Sequence, residues 1–262
     1  TLNLAFTIDD GTLMKNCWQL YFESQFVIDS CIPYKVTNGK NFVATGLPMF
    51  DSLQLPLSEY KNPWMQDSRK RIIFAPHHSI GTVYGSGIGY GTFLEFGESV
   101  LKLAKKYNKE TQWAFKPHPG LRRKLDYIWG KEKTDTYYNE WATLENGQIY
   151  EGDYQSLFMH SDAMIHDCSS FQVEYHFTKN PVLYLQKGDK EDSENRNSFG
   201  LKALNLHYKA KTVETIETFI NDVVIGGNDT LKSEREIFYS QYLASPQNKT
   251  ACENILDAIL GK

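Results

Sequence analysis

No stretch of the sequence approaches the roughly 18 to 20 uncharged apolar residues that a bilayer span needs, which removes a membrane-crossing helix from the reading. Nor is there an excess of one charge sign. A formal net charge of −4 over 262 residues gives no whole-chain signature for nucleic acid, so any electrostatic partner must be met by a local site. Cysteine is scarce and scattered: Cys17, Cys31, Cys168 and Cys252 form no Cys-x-x-Cys pair and no zinc-type spacing. Reduced thiols in a cytoplasmic protein are the simplest reading. Five glycines lie between Gly81 and Gly91, yet no window fits Gly-x-Gly-x-x-Gly and no Gly-Lys-Ser/Thr follows. Gly-x-Ser-x-Gly and His-Glu-x-x-His are also missing, which weighs against the common hydrolase and metalloprotease classes. Thr1 is followed by neither a charged n-region nor an apolar h-region, so no secretory signal is expected, and the sequons at Asn228 and Asn248 carry little weight.

What the chain does contain is a globular composition, 41% hydrophobic and 14% aromatic, and short apolar runs that stop abruptly at polar turns. Ile72–Ala75 ends at Pro76 and His77-His78-Ser79. Trp113–Phe115 ends at Lys116-Pro117-His118-Pro119. Ala163–Ile165 ends at Asp167-Cys168-Ser169-Ser170, after which Phe171 opens a helix and Pro181–Leu185 supplies another strand. Between these runs lie helical patterns: one after Thr92-x-x-Glu95, which fits a capping box, one around Asp135–Leu144, and two near the end, the second after Ser233-x-x-Glu236. Strands alternating with helices predict an α/β fold with an open, mostly parallel sheet covered on both faces. The polar, proline-bearing stretch Leu53–Arg71 places a domain boundary, with residues 1–67 before it and 68–262 after it.

Ligands of such sheets sit beyond the carboxyl ends of the strands, which singles out the three polar turns. Ser169 and Ser170 can cap a helix or hold a phosphate; Asp167 would repel a phosphate, and can instead bind a polyol hydroxyl or structure the turn. His118, fixed between two prolines, suits a general base, a general acid or a phosphate partner, or is simply a turn residue, and Lys116 adds positive charge beside it. Adjacent histidines usually diverge, so His77 and His78 are not expected to hold a metal, although one of them can point into a cleft. The acidic stretch Gly188–Glu194 reads as a solvated loop, with Arg196 as a residue able to reach a ligand.

In this order, "VATGLPMFD", "IIFAPHHS", "FKPHPGL", "DYQSLFMHSDAMIHDCSSFQVEYHFTKNPVLYL" and "GGNDTLKSEREIFYSQYL" resemble the CDP-glycerol glycerophosphotransferase family, which builds teichoic acids and related polyol-phosphate or capsular polymers. The resemblance implies a GT-B-like architecture of two Rossmann-like domains, here the end of an incomplete acceptor-side domain followed by a nucleotide-donor domain. It matches His118 to the family's His-Pro histidine, and Asp167, Ser169 and Ser170 to its Asp-x-Ser-Ser turn. Cys168 stands where an aromatic residue is common, and nothing before residue 50 matches the family's His-Gly motif. The activity implied is transfer of glycerol phosphate, or a related polyol phosphate, from a CDP-activated donor to a hydroxyl of a lipid-linked polyol-phosphate or saccharide acceptor. CDP-glycerol enters as substrate, with no metal and no other cofactor expected, at the inner face of the cell membrane through peripheral contact. A GT-B glycosyltransferase using a nucleotide sugar and a non-catalytic binding domain are the competing readings.

Overall fold

The structure, a computed structural model, describes residues 16–31, 38–81, 91–169, 171–187 and 198–261. The chain opens with β1 (Leu20–Phe22), α1 (Gln25–Cys31), β2 (Phe42–Ala44) and α2 (Pro48–Asp51), with β1 and β2 paired in parallel. Next come β3 (Lys70–Ala75), α3 (Phe93–Lys106), β4 (Thr111–Phe115), α4 (Leu121–Trp129), α5 (Lys131–Thr143) and β5 (Gly147–Ile149). They are followed by α6 (Tyr154–Met159), β6 (Ala163–His166), α7 (Phe171–Glu174), β7 (Val182–Leu185), α8 (Ser198–Leu204) and β8 (Tyr208–Ala210). The last elements are α9 (Val213–Thr218) and α10 (Lys232–Phe238), each running into a π-helical turn, and α11 (Ala251–Leu260).

Strands β3 to β8 form one sheet in the order β5-β4-β3-β6-β7-β8, and every neighbouring pair is parallel. Counted from β3, this is the 3-2-1-4-5-6 order of a doubly wound dinucleotide-type sheet, whose switch point lies between β3 and β6. Alternation along β3 shows why the runs are wholly apolar. Ile72 and Phe74 join one core with Trp113, Phe115 and Trp141, while Ile73 and Ala75 join the opposite core with Phe158, Met164 and Tyr175. A third core, containing Val27, Phe50, Val173, Phe177, Phe199 and Phe238, ties the first segment to the second half of the sheet.

Several local expectations are corrected. Strands β5 and β8, three residues each, sit at the sheet edges and lack the apolar run that marks a central strand. Helix α4 was not expected because only Leu121 and Leu125 of its nine residues are buried. The Thr92 hydroxyl does not cap α3, since it is turned to Asp167 instead. Ser233 lies inside α10, which starts at Lys232. The capping box that does form is Thr250 with Glu253, and Asp51 adds its carboxylate to the N–H groups of Ala251 (2.7 Å) and Cys252 (3.1 Å), so α11 packs back on α2. The five-glycine segment, apart from Gly81 and Gly91, and the acidic stretch with Arg196 lie outside the described residues.

Behind the sheet's carboxyl edge, His166, His176 and His207 form a buried group, with ring centroids 5.2 Å (His166 to His207) and 4.9 Å (His176 to His207) apart. His176 Nε2 and His207 Nδ1 both donate to the Ala203 carbonyl, at 3.0 and 2.9 Å. Burial pushes His176 down to about 3 and His207 well below the usual imidazole value. A depressed folded-state pKa means that the unfolded chain takes up the proton first: the stability is present above about pH 6.5 and is lost as the pH falls toward 3. Asp167 and Glu174, raised by burial to about 6 and about 7, act in the opposite sense over their own ranges. Replacing His176 with phenylalanine keeps the Ala203 carbonyl paired through His207. The fall in Tm between pH 6.5 and 4 is therefore expected to be smaller in His176→Phe than in the parent, and an equal fall would remove His176 as a cause of acid lability.

Candidate functional site

The three polar turns converge. Parallel pairing of β3 with β4 carries on past the strand ends, where the Lys116 N–H donates to Phe74 O (2.8 Å) and the His118 N–H to Pro76 O (3.0 Å). The His-Pro turn is thereby seated against the His-His turn. The rings of His77, His78 and His118 pack together, with centroids 4.3 Å (His77 to His78), 5.0 Å (His77 to His118) and 3.9 Å (His78 to His118) apart. The expected divergence of His77 and His78 is overturned, because Ile80 N–H closes a turn on His78 O (2.8 Å) and folds the second ring back over His118. Beside them a cleft of about 510 Å³ is lined by residues that include His77, Lys116, His118, Arg122, Tyr150, Tyr154, Cys168 and Phe171.

Imidazole nitrogens of His77, His78 and His118 lie within 4.8 Å of one another, close enough by distance alone for a metal ion. Their hydrogen bonds argue for another use. Nδ1 of His118 accepts the Gly120 N–H (3.0 Å), and Nδ1 of His77 accepts the Ser79 N–H (3.2 Å) with the Ser79 hydroxyl at 2.9 Å. A backbone N–H can only donate, so the neutral rings carry their proton on Nε2. A nitrogen that bears a proton is a donor, suited to an anion and not to a cation. Desolvation, then the neighbouring His78 and His118 and Lys124, lowers His77 to about 4; His78 and His118 are lowered in the same way, with burial as the main cause. The group is thus neutral at pH 7. Lys116 supplies the charge: its ammonium is half-buried, which lowers its pKa against the pull of Asp153 and Glu151, and it donates to Gly152 O (3.1 Å) 5.3 Å from the centre of the Tyr150 ring.

The remaining predicted residues fall into different places. Asp167 is fully buried and does not face the cleft; Oδ1 accepts the His77 N–H (2.6 Å), and Oδ2 accepts the Thr92 N–H (2.6 Å) and hydroxyl (2.9 Å). Ser79, only 6% exposed, spends its hydroxyl and N–H on His77 and does not line the cleft. Ser169 is half-buried at the turn and Ser170 lies outside the described residues. The helix after them is four residues long before a 3-10 turn, so it offers little dipole to an anion. Cys168 borders the cleft with its thiol pushed up to about 12 by burial, and is inert as a nucleophile.

Sequence reasoning missed three contributors to the cleft and one buried acid near it. Arg122, in the first turn of α4, reaches the cleft rim over the Tyr138 ring (4.7 Å) while paired with Asp135 (2.7 Å). Tyr150 and Tyr154 give the cleft flat apolar walls. Glu174, 7% exposed on α7 and raised by burial to about 7, lies near Tyr154 and Cys168 but does not line the cleft. An acid inside the apolar run "FQVEYHF" was the available signal for it.

A doubly wound parallel sheet with an ammonium and N–H donors gathered past its carboxyl edge gives a GT-B-like fold with a polar cleft at its switch point. Across residues 29–261 the chain matches the profile described as CDP-Glycerol:Poly(glycerophosphate) glycerophosphotransferase, and it belongs to that family. It is 29% identical over 158 residues to the minor teichoic acid biosynthesis protein GgaB of Bacillus subtilis (strain 168), a match that takes in 56% of this chain and 16% of that protein. Among solved structures it is similar to a variant of the wall teichoic acid polymerase TagF (TM-score 0.63, 16% identity, 99% of this chain and 64% of that chain). A UDP-GlcNAc 2-epimerase from Neisseria meningitidis bound to UDP-GlcNAc shares the fold at a TM-score of 0.57 (16% identity, 94% of this chain and 61% of that one). The chain thus spans less than two thirds of the length of each of these proteins. Among the described residues no helix is long and apolar enough to cross a membrane.

Proposed function

We propose that this chain is the donor-binding part of a transferase that moves glycerol phosphate, or a related polyol phosphate, from a CDP-activated donor to a hydroxyl of a cell-envelope polymer. The observation that carries the reading is the convergence of two Nε2–H imidazoles and one half-buried ammonium on a single aromatic-lined cleft. His77 and His118 donate hydrogen bonds to the pyrophosphate oxygens, and Lys116 balances their charge. The nucleobase packs against Tyr150, Tyr154 and Phe171. A variant of TagF was studied in crystals soaked with CDPG, a ligand consistent with this assignment.

In the reaction, the acceptor oxygen forms a bond to the phosphorus that carries the glycerol, and the bond from that phosphorus to the bridging oxygen breaks. CMP leaves with that oxygen. Negative charge grows on the phosphate oxygens, and the imidazole N–H groups and Lys116 of the cleft are suited to stabilise it. With Nδ1 of His118 held by Gly120 and Nε2 protonated, its role is donor to phosphate and not base. The base belongs to the acceptor side. The acceptor is a polyol phosphate or saccharide, lipid-linked at the inner membrane face, and the site works without a metal.

A nucleotide-sugar reading has one observation in its favour, the shared fold with a protein bound to UDP-GlcNAc. Products separate the two. With the full-length protein and a polyol-phosphate acceptor, CDP-glycerol is expected to yield CMP and a new phosphodiester, and UDP-glucose to yield nothing. Release of a nucleoside diphosphate with a new glycosidic bond would overturn the proposal.

A further inference from the structure

A fully buried carboxylate at the switch point needs a reason, because isolating a charge from water is costly unless hydrogen bonds repay it. Asp167 has three: the N–H of His77 and both the N–H and hydroxyl of Thr92, at 2.6, 2.6 and 2.9 Å. These partners are the two ends of one hydrogen-bonded circuit. His77 Nδ1 is held by Ser79; Ser79 O accepts the Gly91 N–H (3.0 Å); Gly91 precedes Thr92; and Thr92 returns to Asp167. Gly91 is required for the closure, since a Cβ there would lie 2.9 Å from the Ser79 carbonyl oxygen. Asp167 thus holds the N-cap residue of α3, a helix of 14 residues, from the far side of the switch point.

We propose that Asp167 is a positioning residue for transfer: by closing this circuit between β6, the His77 turn and the start of α3, it holds the His77 ring in the Nε2–H form that faces the donor. It touches no substrate. The proposal rests on the donor reading given above, and it also makes a claim about the empty protein, which is separable from that reading. His118 provides the internal control, because its ring is set by Gly120 and lies outside the circuit.

The test uses the whole chain, labelled with 15N at histidine, and CDP-glycerol as the probe. In Asp167→Asn one of the two oxygens becomes an amide donor facing an N–H group. His77 is expected to lose its single Nε2–H tautomer in long-range proton–nitrogen spectra while His118 keeps its pattern, and the CDP-glycerol Kd is expected to rise about tenfold or more. Thr92→Val removes only the hydroxyl bond and leaves both backbone bonds. It is expected to weaken binding about threefold, with Thr92→Ser restoring it. A folded Asp167→Asn with an unchanged His77 tautomer and unchanged Kd overturns the proposal. Should Asp167→Asn fail to fold, Thr92→Val decides, and a His77 signal and Kd equal to those of the parent overturn it. If the parent itself binds no CDP-glycerol, the donor reading fails, while the His77 signal still decides the role of Asp167.

Discussion

Replacing His118 with alanine is expected to weaken CDP-glycerol binding by this chain about tenfold and to slow transfer by the full-length protein roughly a hundred- to a thousandfold, the usual cost of a missing donor to a developing oxyanion. His118→Gln separates the two chemistries open to this residue. The Gln amide places an N–H close to where Nε2–H stands, so a phosphate donor is partly replaced, and activity is expected within roughly tenfold of the parent. A general base has no substitute in an amide, which would make Gln as damaging as Ala. Steady-state kinetics on the two variants decide the matter, and equal losses would refute the donor role argued from the Gly120 N–H.

The largest expected effect on stability lies away from the cleft. Arg235 is fully buried and paired with Asp229; it also donates to the carbonyls of Lys179 (3.1 Å) and Leu206 (3.4 Å), joining the end of α7's turn, the α8–β8 connection and α10. Asp229→Ala leaves the guanidinium buried without its counter-charge and is expected to cost about 3 to 5 kcal/mol. Arg235→Met fills the space with an apolar side chain and is expected to cost less, although Asp229 then keeps only its bond from the Tyr208 hydroxyl (3.0 Å). Urea unfolding of the two variants gives the comparison. A smaller loss for Asp229→Ala than for Arg235→Met would contradict the claim that the unpaired buried guanidinium is the costlier defect.

The central strands were legible because both faces of the sheet are buried, so β3, β4, β6 and β7 each contain a short apolar run, and the runs of β3, β4 and β6 stop at a polar turn. Edge strands and α4 were not legible, since their burial depends on neighbours distant in sequence. The same limit shaped the site. His77, Lys116 and His118 could be placed at strand ends from sequence, but whether Asp167 points outward or downward depends on the turn between β6 and α7, and it turns down to meet Thr92. Thr92-x-x-Glu95 then misled for a clear reason. A capping box and a tertiary clamp use the same hydroxyl, and a buried carboxylate outcompetes a local backbone N–H for it. Neither the convergence of His77 with His78 nor the pairing of Nδ1 atoms with Ser79 and Gly120 has any signature in the order of residues.

Isothermal titration of CDP-glycerol into this chain, in EDTA and again with added Mg²⁺ or Zn²⁺, tests the central claim most directly. Binding that is equal in EDTA and in Mg²⁺, that is no stronger with Zn²⁺, and that is weakened about tenfold by His118→Ala is the result the donor geometry predicts. No binding by the folded chain, binding that requires a divalent metal, or full affinity in His118→Ala would contradict it.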